Sequence, residues 1–219
     1  MTTFISRREL LKRAGLAGAA AAVVRADALV PAEVSGAAAI QAPAAAAARA
    51  PLEHLSATEA DVLDAIVARL IPADGNGPGA LEAGATRYID RALGGALASS
   101  REAYRMGLAA LDQYARTSRG KPFRELAAAE QDAVLVDVED GRATGFPDGA
   151  APFFTLVRAH TIQGTFCDPF YGGNASFAGW DLVGYPGVRT IVTPDEQRLG
   201  ADVPRNHKSA YDTEMFAKP

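Results

Sequence analysis

Few residues in this 219-residue chain are of the types that do chemistry, and their spacing gives catalysis little support. His54, His160 and His207 are the only imidazoles. None stands in an H-x-x-x-H or H-E-x-x-H arrangement, the spacings that aim two ring nitrogens at one metal from a helix face. Each reads better as a capped or core-satisfied histidine. Cys167 is the sole thiol, which excludes an intramolecular disulfide and any cysteine-built zinc or iron–sulfur site within this chain. His160 precedes Cys167 by seven residues across the expected end of a helix, so a nucleophile and base would form there if the imidazole approached the thiol. A small thiol buried at a helix end is the commoner arrangement. Ser176, in "NASFAG", has no base beside it and no G-x-S-x-G elbow. Gly75, Gly77 and Gly79 follow a helical pattern rather than a strand, so they read as an inter-helix loop and not a dinucleotide fingerprint. No catalytic, cofactor-binding or metal-binding residue is therefore assigned.

The elements that would position these groups are helical. Ser56 and Glu59 make an S-x-x-E capping box ahead of Val62, Leu63, Ile66, Val67, Leu70 and Ile71, and Pro72 stops the pattern. Leu81, Tyr88, Ile89 and Leu93 suggest a second helix, and Tyr104, Leu108 and Leu111 a third, with a break near Gly94-Gly95. Val134, Leu135 and Val138 after "FRELAAAEQ" suggest a fourth, and Phe153, Phe154, Leu156, Val157 and His160 a fifth. Strand signals are few and there is no internal repeat, so the fold class is mainly α: one helical domain with an irregular, Gly- and aromatic-rich C-terminal segment.

Hydrophobic residues make up 48% of the chain and charged residues 22%, the composition of an ordinary globular protein. A net charge of −4, with no basic cluster beyond the first 25 residues, excludes nucleic acid as a partner. That basic start reads as an address. Ser6-Arg7-Arg8-Glu9-Leu10-Leu11-Lys12 fits the twin-arginine export motif, Ala14 to Val24 is a short apolar run, and Ala26-Asp27-Ala28 is a small-x-small cleavage pattern. The run is too short to make a stable transmembrane span. Residues 1–28 are thus expected to be a signal peptide and 29–50 an Ala/Pro-rich linker. Cleavage after Ala28 removes five basic and two acidic residues and leaves 17 basic against 24 acidic, a net of −7. The twin-arginine route carries proteins already folded, usually around a cofactor. A chain with so few ligands of its own then implies a cofactor-bearing partner that lacks a signal.

The most distinctive stretch is "DPFYGGNASFAGWDLVGYPG", residues 168–187, with two prolines and five aromatics among its glycines. Together with "FFTLVRAHTIQGTFC" before it, "LSATEADVLDAIVARLIPAD" near the start of the body and the twin-arginine leader, it resembles the gluconate 2-dehydrogenase subunit 3 family over Leu55 to Gly187. The family pattern carries over at Asp168, Pro169, Tyr171, Gly172, Gly173 and Asn174, and at Gly179, Trp180, Gly184, Tyr185, Pro186 and Gly187. The resemblance implies a non-catalytic, chaperone-like small subunit of an exported oxidoreductase complex. The FAD would sit in a large subunit of the glucose-methanol-choline (GMC) type that is exported with this chain, and a cytochrome c subunit would accept electrons.

On that reading Asp168, Pro169, Tyr171, Gly172, Gly173, Asn174, Trp180, Tyr185, Pro186 and Gly187 are candidate partner-interface residues, in a periplasmic heteromer. Whether Trp180 and Tyr185 face the partner or their own helices is left open between interface anchor and core cap. Residues 188–219, with Tyr211 and Phe216, read as an extended tail that orders on a partner or stays disordered. The runner-up is a free-standing periplasmic enzyme or carbohydrate-binding protein using residues 160–187, and a third reading is a structural envelope protein.

Overall fold

The computed structural model describes residues 52–214. The expected signal peptide and linker, and Phe216, lie outside the described residues. Six α-helices occur among those described, joined by short 3₁₀ turns and with no strand, so the expected mainly helical domain is what the chain forms.

Helix α1 spans Ala57–Leu70 and opens on the predicted capping box. The Glu59 N–H donates to Ser56 Oγ at 3.3 Å while the Ser56 N–H donates to Glu59 Oε2 at 2.8 Å, so two orphan amides of the first turn are satisfied reciprocally. Its apolar face, Val62, Leu63, Ile66 and Val67, is buried. Helix α2 spans Ala85–Leu93. Leu81, assigned to this helix from spacing, instead lies in the preceding turn with 40% of its surface exposed. Gly84 takes φ 76° between them and ends that turn, so the helix can begin only after it.

The break at Gly94-Gly95 holds, followed by a 3₁₀ turn and then α3, Arg101–Arg119. Helix α4, Ala128–Glu139, follows a 3₁₀ turn in which the Phe123 N–H donates to Asp112 of α3 at 2.9 Å. Helix α5, Ala150–Phe166, packs on α2 and α4, and α1 lies against α2, α3 and α4. Leu63, Ile66, Ile89, Leu93, Tyr104, Leu108, Leu111, Phe123, Val134 and Val157 meet in one fully buried core. Each such side chain contributes about 1.5–3 kcal/mol relative to exposure.

A short α6, Ala178–Val183, forms inside the segment expected to be irregular. Beyond it the chain leaves at Val188 and returns at Asn206. The base of that excursion is closed by the Val188 N–H on Lys208 O at 3.0 Å and the Asn206 N–H on Pro186 O at 2.9 Å.

One buried carboxylate secures the entry to the bundle. Asp90 of α2 is 1% exposed and accepts the backbone N–H groups of Glu53, His54 and Leu55 at 2.8, 2.9 and 2.8 Å. It thereby ties the bent lead into α1 onto a helix some 35 residues away in sequence. Asp90→Ala strands these donors in a poorly hydrated place, and each unsatisfied group costs about 1–3 kcal/mol. We expect a loss of about 3 kcal/mol or more, read from the midpoint of urea unfolding, with Asp90→Asn intermediate.

Candidate functional site

The family-like segment is built onto the end of α5. The backbone of Asn174 is held in the left-handed region, φ 45° and ψ 44°, a conformation Asn tolerates better than most residues. Its side chain is fully buried. Oδ1 accepts the N–H groups of Gly179 and Trp180 at 2.8 and 3.3 Å, at the start of α6, and Nδ2 donates to Cys167 O at 2.8 Å, at the end of α5. Its own N–H donates to Gly164 O at 2.9 Å, and the next residue, Ala175, donates to Ala83 O before α2. One carboxamide therefore joins two helix ends. Asn174-Ala175-Ser176 spells an N-x-S glycosylation sequon, but in this fold its amide is consumed inside and cannot act as an acceptor.

Close approach explains two of the family glycines. A Cβ at Gly173 would stand 2.1 Å from Gly164 O, and one at Gly179 would stand 1.9 Å from Thr165 O. Both contacts are to backbone, so no side-chain shift relieves them.

Trp180 is 7% exposed, and its Nε1 donates to Phe166 O at 3.0 Å. It faces the end of α5 in its own chain. Tyr185 packs edge-on against it with centroids 4.8 Å apart, yet keeps 41% of its surface in solvent. Trp180 thus caps the core of its own chain, while Tyr185 lies partly on Trp180 and partly in solvent. Of the candidate interface residues, Gly173, Asn174, Trp180 and Gly187 are buried within their own chain, Tyr171 and Tyr185 are exposed, and Asp168, Pro169, Gly172 and Pro186 lie between.

Beside this module lies a groove of about 720 Å³ between α2 and α5. Tyr88 and Arg91 line one wall, Ile162, Phe166 and Cys167 the other, and Phe170 and Tyr171 close an end. Ile162, Phe170 and Tyr171 are each close to half exposed. Burial pushes the Cys167 thiol upward, and its Sγ lies 3.6 Å from Gly164 O. A raised thiol stays protonated, so it is a poor nucleophile.

His160 is not placed as its base. The imidazole is buried, bonded through Nδ1 to Tyr104 Oη at 3.0 Å and stacked on that ring, and burial pushes its pKa down. His207 is bonded to Asp181 at 2.8 Å, while His54 sits under Gly94. The three histidines thus have separate partners, and no group of three or more His, Cys, Asp or Glu that could hold a metal ion stands together among the described residues.

The tail read as an arm for a partner is engaged with this same segment. Tyr211 stacks on Phe170 with centroids 3.7 Å apart, and Ser209 Oγ donates to Asp168 at 2.6 Å. Sequence reasoning missed this return, although Ser209 and Asp212 form an S-x-x-D box of the kind recognised at Ser56. It also missed the groove residues Tyr88, Arg91 and Ile162, which carry no motif.

Asn174→Ala is expected to lose about 2–4 kcal/mol and to expose Trp180, the single tryptophan. A red-shifted emission maximum and a lower thermal midpoint check this. His160 contributes a pH dependence of definite sign. Its folded pKa is depressed, so below about pH 6.5 the unfolded chain takes up a proton that the folded chain refuses. Stability then falls as pH is lowered, by about 1.4 kcal/mol per unit at most, until the folded group also titrates. Unfolding measured between pH 7 and 5 should show this slope, and His160→Gln should flatten it.

The span from the first residue of α1 to the end of the Gly- and aromatic-rich module coincides with a match to one family. The model described as gluconate 2-dehydrogenase subunit 3 covers residues 57–187. No curated protein and no solved structure gives a match. With well over half of the chain aligned, including both helix-end junctions at Asn174, this chain belongs to the gluconate 2-dehydrogenase subunit 3 family.

Proposed function

We propose that this chain is a non-catalytic small subunit that binds, stabilises and co-exports a FAD-dependent, GMC-type sugar or polyol dehydrogenase. The observation that carries the reading is the family match over residues 57–187, since the family is described as a subunit of a dehydrogenase. The chemistry of the chain agrees with an accessory role. Its one thiol is raised and its buried histidine is consumed by Tyr104. The glycines at 75, 77 and 79 sit in a loop after a helix and not between strand and helix, so they offer no phosphate-binding turn. FAD therefore belongs to the partner in this reading, and a cytochrome c subunit would take the electrons onward. The twin-arginine leader would place the complex in the periplasm. No described helix is long and apolar enough to cross a membrane.

The runner-up, a free-standing enzyme or carbohydrate-binding protein, draws on the groove of about 720 Å³. Two polar residues of the 160–187 span that it would use are already committed, His160 to Tyr104 and Asp168 to Ser209 and Ala210. Calorimetric titration of the purified chain with gluconate and glucose separates the readings, because only the runner-up expects binding.

Co-expression provides the direct test. A large flavoprotein encoded beside this chain should be soluble, flavin-loaded and exported when the two are made together, and should co-elute with it in size-exclusion chromatography. Without this chain the flavoprotein should remain in the cytoplasm. Equal solubility, export and activity of the flavoprotein alone would sink the proposal.

A further inference from the structure

Between Arg205 and Thr213 the chain runs as a strap across residues 168–187, and the subunit reading makes no use of it. Two carboxylates hold it. Asp181 of α6 accepts from Arg205 Nη1 at 3.0 Å and pairs with His207 Nε2 at 2.8 Å. Asp168 accepts from Ser209 Oγ at 2.6 Å and from the Ala210 N–H at 2.8 Å. Two rings of the strap lie on rings of the segment. His207 stacks on Phe177 with centroids 5.1 Å apart. Tyr211 covers one face of Phe170 at 3.7 Å and bonds the Tyr171 hydroxyl at 2.9 Å.

These contacts differ in kind from those of the bundle. From residue 205 to 213 only Ser209 is buried, whereas the helices share a core of side chains with no exposed surface. Asn206 and Lys208 are tied at the base to Pro186 and Val188, but past them the contacts are surface hydrogen bonds and ion pairs that exchange readily with water, so residues 209–213 have little to hold them shut beyond Ser209 and the Tyr211 ring contact. Regions with few buried apolar contacts open locally, at free energies well below that of global unfolding. What the strap covers is apolar. Phe170 and Tyr171 line the groove and are about half exposed with the strap in place, and the short turn that carries Phe177 packs on theirs. Removing Tyr211 would bare the paired rings of Phe170 and Tyr171 beside the groove, the type of surface that marks an interaction site.

We propose that residues 209–213 are a latch that opens independently of the helical core and controls access to the aromatic face of Phe170 and Tyr171 at the mouth of the groove. In the isolated chain the occupant of that face is the chain's own strap. A partner using the face must displace Tyr211, so the latch sets a threshold for docking.

Hydrogen exchange on the full chain tests the latch without any partner, comparing the native sequence with Tyr211→Ser and with Ser209→Ala/Tyr211→Ser. In the native chain the amides of Tyr211 and Asp212 should be protected, yet exchange far faster than those of α1, α3 and α5. The double variant should raise their exchange by about a hundredfold, the effect of one buried hydrogen bond and a ring stack, with helix amides unchanged. Tyr211→Ser alone should give a smaller rise in the same amides. Binding of the apolar dye anilinonaphthalene sulfonate should increase severalfold in the double variant. Strap and helix amides exchanging together in the native chain, a double variant that melts the core, or unchanged strap protection would each overturn independent opening. An unchanged dye signal would overturn control of access.

Discussion

A carboxamide sealed from water has to find every hydrogen-bond partner within the protein, and Asn174 finds its partners at two helix ends at once. Its oxygen completes the first turn of α6 and its NH₂ group completes the last turn of α5. The backbone must turn into the left-handed region for the side chain to reach both, and the neighbouring glycines are required because the turn presses against the carbonyls of α5. Trp180 is then delivered to Phe166 O, Tyr185 is laid on Trp180, and Asp168 is presented to the strap. The features that first looked like a surface motif follow from satisfying one buried amide.

This arrangement changes what the family-like residues are for. Gly173, Asn174, Gly179 and Trp180 are internal, so their identities answer to packing and hydrogen bonding. The side chains left facing solvent are different ones: Phe170, Tyr171, Tyr185 and, across the groove, Ile162. A motif can thus specify a scaffold while adjacent, less distinctive residues form the surface that scaffold presents.

Much of the helical body was legible in sequence because its signals are local. The capping box at Ser56, Pro72 and the 3.6-residue spacing of Val62, Leu63, Ile66 and Val67 all act within one helix, and α1 ends where they say. Leu81 was misplaced because hydrophobic spacing does not see backbone conformation, and the left-handed Gly84 overrides it. Asp90 could not be recognised as a structural anchor, since its three donors lie about 35 residues away. The groove was illegible for the same reason, as Arg91 and Ile162 become neighbours only when α2 packs on α5. The strap was half legible: its turn carries a capping signal, but its docking depends on Asp168 and Asp181, which distance in sequence hides.

The excursion between Val188 and Asn206 has a bearing on how such chains diversify. Its two ends are pinned together by backbone hydrogen bonds and by Asn206 against Gly187, so the geometry of the module is set at the base and not along the arc. Closing a loop of greater length costs only slightly more, because the entropic term grows with the logarithm of length. Residues 189–204 can therefore gain or lose segments while the helices keep their register. An insertion in the arc would leave the hydrogen bonds at its base, and the helices they hold, where they are.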